Sequence, residues 1–188
     1  MTQNFKAKYH DFEKGKNGFM IDIVIFFIIV IFFHQLFKYY SDEIMSIPAI
    51  SKTAQWLAYI FFEIGLWINK EILGIQIIRE ARTTMWFSNN EGLEINRGCS
   101  GLRQYLQVVV LFLLLRGPLL HKLWFIPFSI LIMMFTNIFR IAVLSVVHSW
   151  QPVHTEFVHT YVMRPFFYVV MIALWIMWVE KFRKKRIA

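Results

Sequence analysis

A chain of 188 residues that is 57% hydrophobic, 18% aromatic and only 17% charged, with a mean hydropathy of +0.50, carries more apolar side chain than one small soluble core can bury, and so points to a membrane protein. Its single cysteine excludes an intrachain disulfide framework, a zinc ribbon and a Cys-x-x-Cys redox pair, each of which needs further thiols or a fuller ligand set. The net charge of +8 does not form a basic stripe: the basic residues lie at the chain ends and between apolar runs, which suits membrane orientation, and no nucleic-acid partner is expected.

About 20 largely apolar residues make a membrane-crossing helix. After a basic, Gly-containing head (residues 1–18), Phe19 to Phe37 is such a run, interrupted by the ionisable Asp22 and His34. It is too long and too apolar for a cleaved signal peptide, and no small-residue cleavage site follows it, so it is read as a retained span. Pro48 to Asn69, interrupted by Lys52 and Glu63, is a weaker one. The segment 70–97 has a different character. Ile75 to Arg79 and Thr83 to Phe87 are β-prone, Asn89-Asn90-Glu91-Gly92 is turn chemistry, and Leu93 to Asn96 alternates apolar and polar residues, which predicts a short β-hairpin over the bundle that delivers the chain to Cys99. Leu102 to Leu115, Leu123 to Val147 and Pro165 to Val179 follow as three further spans, ahead of a basic tail (181–188). With no internal repeat or low-complexity linker, residues 1–188 form one domain. The expected fold is an all-α polytopic membrane protein with about five transmembrane helices and a short extracytoplasmic β-hairpin before the cysteine.

Lys and Arg in short flanks mark the cytoplasmic side. Lys181, Arg183, Lys184, Lys185 and Arg186 place the tail inside; the stretch with His148, His154, Glu156 and His159 then faces out, the turn Arg116 to Lys122 faces in, and segment 70–97 faces out. In that outer segment Lys70, Arg79, Arg82 and Arg97 are balanced by Glu71, Glu80, Glu91 and Glu94. Two ordinary spans ahead of it put the basic head outside, against the same rule. Either the head is translocated, or Pro48 to Asn69 does not cross as a simple helix, or a boundary lies elsewhere.

Ionisable groups within spans are costly and therefore mark functional candidates. Glu63 and Asp22 read as interfacial or interhelical hydrogen-bonding groups, and His34 as an interfacial histidine. Arg140 lies on an otherwise apolar helix with Asn137 three residues before it on the same face; the plain alternative is an arginine snorkelling to the outer interface. At 1.5 Å per residue, Arg140 rises about 27 Å from Lys122, Cys99 about 25 Å from Arg116, and His159 about 33 Å from Lys181, so the three reach one outer level. Gly98 and Gly101 flank Cys99-Ser100 at a helix start, where free N–H groups and the dipole favour a thiolate and would hold an oxyanion. Arg103, four residues on, either adds positive charge there or anchors the helix at the interface. As a base, His159 is preferred over His154 and His148, because it precedes the aromatic helix from Pro165 and is best placed to be held rigidly.

These residues resemble a known pattern. Asn96-Arg97-Gly98-Cys99-Ser100-Gly101-Leu102, then Asn137-Ile138-Phe139-Arg140, then His159 ahead of Phe166-Phe167-Tyr168, are similar to the Cys…Arg…His signature of the exosortase and archaeosortase family of integral-membrane cysteine transpeptidases. The short length resembles the compact exosortase F type, and the likeness runs from Gly74 to the last span; Val158 stands directly before His159 where the pattern has an acid. The resemblance implies a multi-pass enzyme of the bacterial cytoplasmic membrane with its site on the extracytoplasmic side. Its partners would be exported proteins bearing a C-terminal sorting signal (motif, hydrophobic span, basic tail), membrane lipid and a cell-envelope acceptor, with no metal or cofactor. Cys99 would attack the scissile carbonyl to form a thioester, His159 or His154 would move the proton, and Arg140 would stabilise the oxyanion. Asn137, Ser100, Gly101 and Arg103 would support them. The rival readings are a small transporter or channel subunit, with Arg140, Asn137 and Glu63 along a polar path, and a non-catalytic scaffold in which Cys-Ser-Gly is a packing turn.

Overall fold

A computed structural model describes residues 16–183; most of the basic head and most of the basic tail lie outside them. Helix α1 (Lys16–Tyr39) turns Phe26, Ile29, Phe33 and Phe37 inward at spacings of three and four, while Val24, Phe27, Ile28, Ile31 and Phe32 stay exposed on the other side. A helix apolar all round suits lipid on its outer face. Asp22, which interrupts it, is buried. A short helix α2 (Ser41–Ser46) leads to α3 (Pro48–Trp67), begun by a proline at its first turn, where a missing N–H costs nothing, and prolonged by a wide turn, Ile68–Ile72. Gly65 of α3 allows close approach to the next long helix: a Cβ there would lie 2.8 Å from the Ile141 side chain.

Where a hairpin is expected, the chain forms a three-stranded antiparallel sheet, β1 (Ile77–Ala81), β2 (Thr84–Phe87) and β3 (Gly92–Glu94), in sequence order. The alternating run after Gly92 pairs as a third strand, Leu93 opposite Met85. The first turn is made at Arg82 with φ +54°, and the second at Asn90 with φ +62°, where the Asn89 side chain accepts from the Glu91 amide. The sheet buries Met85 and Phe87 against the bundle. Asn89 donates to the carbonyls of His148 (3.0 Å) and Ser149 (3.2 Å), which fixes the sheet to the end of one helix, and the buried Asn69, on the wide turn after α3, donates to Ser145 Oγ (3.0 Å) of the same helix.

Helix α4 (Leu102–Leu114) has 13 residues, and α5 (Leu119–Trp150) has 32 with Pro127 inside it. The last helix, α6 (Pro152–Phe182), starts as a tight turn at Pro152–His154, widens into π-helical turns over Val158–Met163, and continues as regular helix from Arg164. The expected loop from His148 to Arg164 is therefore nearly absent. Pro152 starts a helix at its first turn, and the wide turns just ahead of Pro165 leave room for its ring and missing N–H. Among the described residues three helices, Met20–Tyr39, Leu119–Trp150 and Pro152–Phe182, are long and apolar enough to cross a membrane; α4, at about 20 Å, is short for a crossing. Lipid is as apolar as the side chains it replaces, so packing and hydrogen bonds hold such helices together. At the end remote from the sheet Phe112, Phe125 and Trp178 interlock (Phe112–Phe125 ring centroids 4.8 Å, Phe125–Trp178 5.0 Å), Trp178 Nε1 donates to the Arg116 carbonyl (3.0 Å), and Lys122 Nζ caps the Leu113 carbonyl (2.8 Å).

Candidate active site

Cys99 lies on a tight turn, Arg97–Ser100, built from the residues around it. Asn96 Oδ1 accepts from the Gly98 amide (2.9 Å), the Asn96 carbonyl accepts from the Cys99 amide (2.9 Å), and Ser100 Oγ accepts from the Leu102 amide (3.3 Å). Gly101 then takes φ +72°, left-handed backbone that glycine adopts without steric penalty, and only after it does α4 begin. The cysteine thus precedes the helix instead of opening it. Three of the N–H groups in this stretch, where free ones are expected to favour a thiolate or hold an oxyanion, are already engaged inside the turn, those of Gly98 and Cys99 by Asn96 and that of Leu102 by Ser100. Arg97 ties the turn to α3 through Ser51 Oγ (2.8 Å).

The turn is gripped from α5. Asn137 Nδ2 (2.9 Å) and Arg140 Nη2 (3.0 Å) both donate to the Cys99 carbonyl. The two residues are three apart on one helical face, and both are buried, at 0% and 4% exposure. Arg140 is further held over the Phe167 ring, 5.4 Å from its centroid, and its Nε makes no hydrogen bond among the described residues. A snorkelling arginine reaches for the interface; this one turns inward to the cysteine turn.

A cavity of about 710 Å³ adjoins the turn, and Cys99, Ser100, Arg103, Arg140 and His159 all line it. Cys99 is half-buried there. His159 stands on the wide turns of α6, with Nδ1 3.7 Å from Glu156 Oε2, while Thr160 Oγ1 donates to the other carboxylate oxygen (2.8 Å). His154 is exposed on the tight turn and does not line the cavity; His148 instead shares Nδ1 with Thr155 Oγ1 (2.9 Å) beside Phe87. Asn137 acts on the Cys99 carbonyl from behind the wall without lining it, and Gly101 is likewise behind it. Arg103 stacks over Phe37 (5.2 Å) and points Nη2 toward His34 Nδ1 (3.5 Å), which also faces Tyr168 Oη (3.5 Å). His34, expected as an interfacial group, is therefore part of the cavity wall. Glu63 does not line it and instead meets Tyr59 on the exposed face of α3.

Sequence reasoning passed over three residues of this wall. Glu156 precedes His159 by three positions and becomes its neighbour only because the segment is helical, which the expected loop concealed; it supplies a carboxylate beside the imidazole where Val158 does not. Arg164, five residues after His159, returns to the cavity because the intervening turns are wide. Gln107 lies in the second turn of α4, in a run that reads as span. Among the described residues no group of three His, Cys, Asp or Glu side chains is arranged to hold a metal ion.

A thiol, an imidazole with a carboxylate at its side, and a buried guanidinium along one wall form a set suited to nucleophilic acyl transfer. No curated protein and no solved structure matches the chain. A family model described as transmembrane exosortase matches residues 21–176, a stretch that contains the cysteine turn, Arg140 and His159. With most of its length matched by that one family and with helices of membrane-crossing length, the chain is an integral membrane protein that belongs to the transmembrane exosortases.

Proposed function

We propose that this exosortase, of the compact type, is a cysteine peptidase or transpeptidase that removes a C-terminal sorting signal from exported proteins and passes the new C-terminus to a cell-envelope acceptor. The observation that carries the reading is the convergence of the chain's single cysteine, Arg140 and His159 on one cavity within the family-matched segment. Cys99 Sγ attacks the scissile carbonyl carbon as His159 takes the thiol proton. The tetrahedral oxyanion develops facing Arg140, in a poorly hydrated site where a fixed cation has high leverage. Collapse breaks the C–N bond, and His159 returns its proton to the leaving amine of the tail fragment. An acceptor nucleophile then attacks the thioester carbonyl as His159 takes its proton, the C–S bond breaks, and the departing thiolate recovers that proton from His159. The site faces the extracytoplasmic side of the bacterial cytoplasmic membrane in a chain of about five crossings.

The test is co-expression with a secreted reporter that carries a motif, an apolar span and a basic tail from a protein encoded in the same genome, followed by blotting for the tail. The parent removes it, and Cys99→Ala and Arg140→Ala leave it on. If both variants process the reporter as the parent does, the reading is wrong. A transport role, by contrast, gives Cys99 nothing to do.

A further inference from the structure

Helix α4 meets the cavity with a polar stripe. Gln107 lies four residues after Arg103 and three after Gln104, and all three line the cavity. Beyond Gln107 the helix is apolar from Val108 to Leu115. Gln107 is 2% exposed, and its Nε2 makes no hydrogen bond among the described residues. A buried amide donor without a partner is a cost to the folded chain. Leucine or methionine would fill the same space without that cost, so the amide calls for an acceptor from outside the chain.

The proposed reaction brings one. A peptide bond is open to attack by a thiolate when its segment is extended, yet the tail to be removed begins as a membrane-crossing helix. Extending its first residues at membrane depth strips their carbonyls of helical partners where water is scarce, and such groups persist only where protein meets them. Helix α4 leads away from the cysteine turn, and Gln107 lies five residues past Leu102, about 7.5 Å along the axis. An extended chain advances about 3.3 Å per residue, so a substrate that runs beside α4 from the level of its first residue, which adjoins the cysteine turn, draws level with Gln107 after about two to three residues.

We propose that Gln107 is a substrate-binding residue whose side-chain amide donates to a backbone carbonyl of the polypeptide substrate, about two to three residues on the C-terminal side of the scissile bond. It thereby keeps the start of the substrate's apolar span unwound beside Cys99. The inference rests on the transpeptidase reading and adds to it a contact with the leaving segment.

The experiment uses the full chain and the same tail-bearing reporter, with the scissile bond located by the mass of the parent's product. Gln107→Met, of equal length and without a donor, slows tail removal about three- to tenfold, the worth of one hydrogen bond, while the thermal midpoint of the purified protein in detergent is unchanged or raised. As a second measurement, Gln107→Cys in a Cys99→Ala background is cross-linked by oxidation to reporters carrying one cysteine at successive positions. The yield peaks two to three residues past the scissile bond. Parental processing by Gln107→Met, a loss that merely follows a lowered midpoint, or a cross-linking profile without that peak each overturns the inference and leaves the parent's own cleavage intact. A parent that leaves the tail on removes the transpeptidase reading, and this contact with it.

Discussion

Replacing Gly101 with alanine probes whether the cysteine turn depends on its left-handed residue. At φ +72° an L-residue is strained by about 1–2 kcal/mol. A Cβ built there would lie 2.6 Å from Tyr105 Oη and 2.8 Å from its Cζ. Tyr105 is 6% exposed, so its ring has little space to retreat, and overpacking of this kind costs about 1–3 kcal/mol. The reduced freedom of the unfolded chain returns about 0.4–1 kcal/mol. The net loss is about 1–5 kcal/mol, each kcal/mol lowering the thermal midpoint by about 2–4 °C in a chain of this size. Cleavage falls further than stability does, because Cys99 lies two residues away and a shift of about 1 Å in a reacting group costs about 100-fold. The measurements are tail removal from the reporter and thermal unfolding in detergent. Gly98→Ala is the control: its Cβ would be 3.1 Å from Asn96 Oδ1 at an ordinary φ, so it is milder in both. Adding Tyr105→Ala to Gly101→Ala removes the collision but not the strain and restores part of the cleavage. The reasoning fails if Gly101→Ala matches the parent in midpoint and cleavage, or if the second substitution restores nothing.

Two further expectations use the same materials. His159→Ala lowers cleavage by about 100-fold or more, the usual worth of a general acid–base group, whereas the exposed His154→Ala stays close to the parent; the reverse order would transfer the proton to the other imidazole. With Cys99→Ala as background, Gln151→Cys between α5 and α6 reacts with a membrane-impermeant maleimide added to intact cells, and labelling that requires lysis would invert the proposed orientation.

The cysteine, the arginine and the histidine were legible in the sequence as residue types at defined spacings, and depth counting along apolar runs brought them to one level. Depth says nothing of rotation about a helix. The sequence therefore could not tell that Arg140 and Asn137 would both grip the Cys99 carbonyl, or that His34 would face Arg103 and Tyr168. Glu156 was hidden for a different reason: with one span ending at Val147 and the next starting at Pro165, the stretch between them reads as loop, but Pro152 opens a helix there and wide turns carry it on to Pro165, so an apparent loop carries helical neighbours. The third strand was visible as alternation yet too short, at three residues, to stand apart from a turn. Gln107 gave the weakest signal, since a lone amide in a span acquires meaning only from what surrounds it.

The donors that hold the cysteine turn have a practical corollary. Asn137 and Arg140 bind a main-chain oxygen, which every residue type possesses, and the hydrogen bonds inside the turn likewise avoid the thiol. The hydrogen bonds that fix the proposed nucleophile thus run to its backbone, while its side chain packs beside the apolar core. A side chain at position 99 can be exchanged for alanine or serine with those backbone hydrogen bonds left in place, at the cost of the apolar contact the thiol makes. On the proposed function, such a variant would engage a tail-bearing chain and not release it by reaction, which would make it a bait for recovering the native substrates from the membrane.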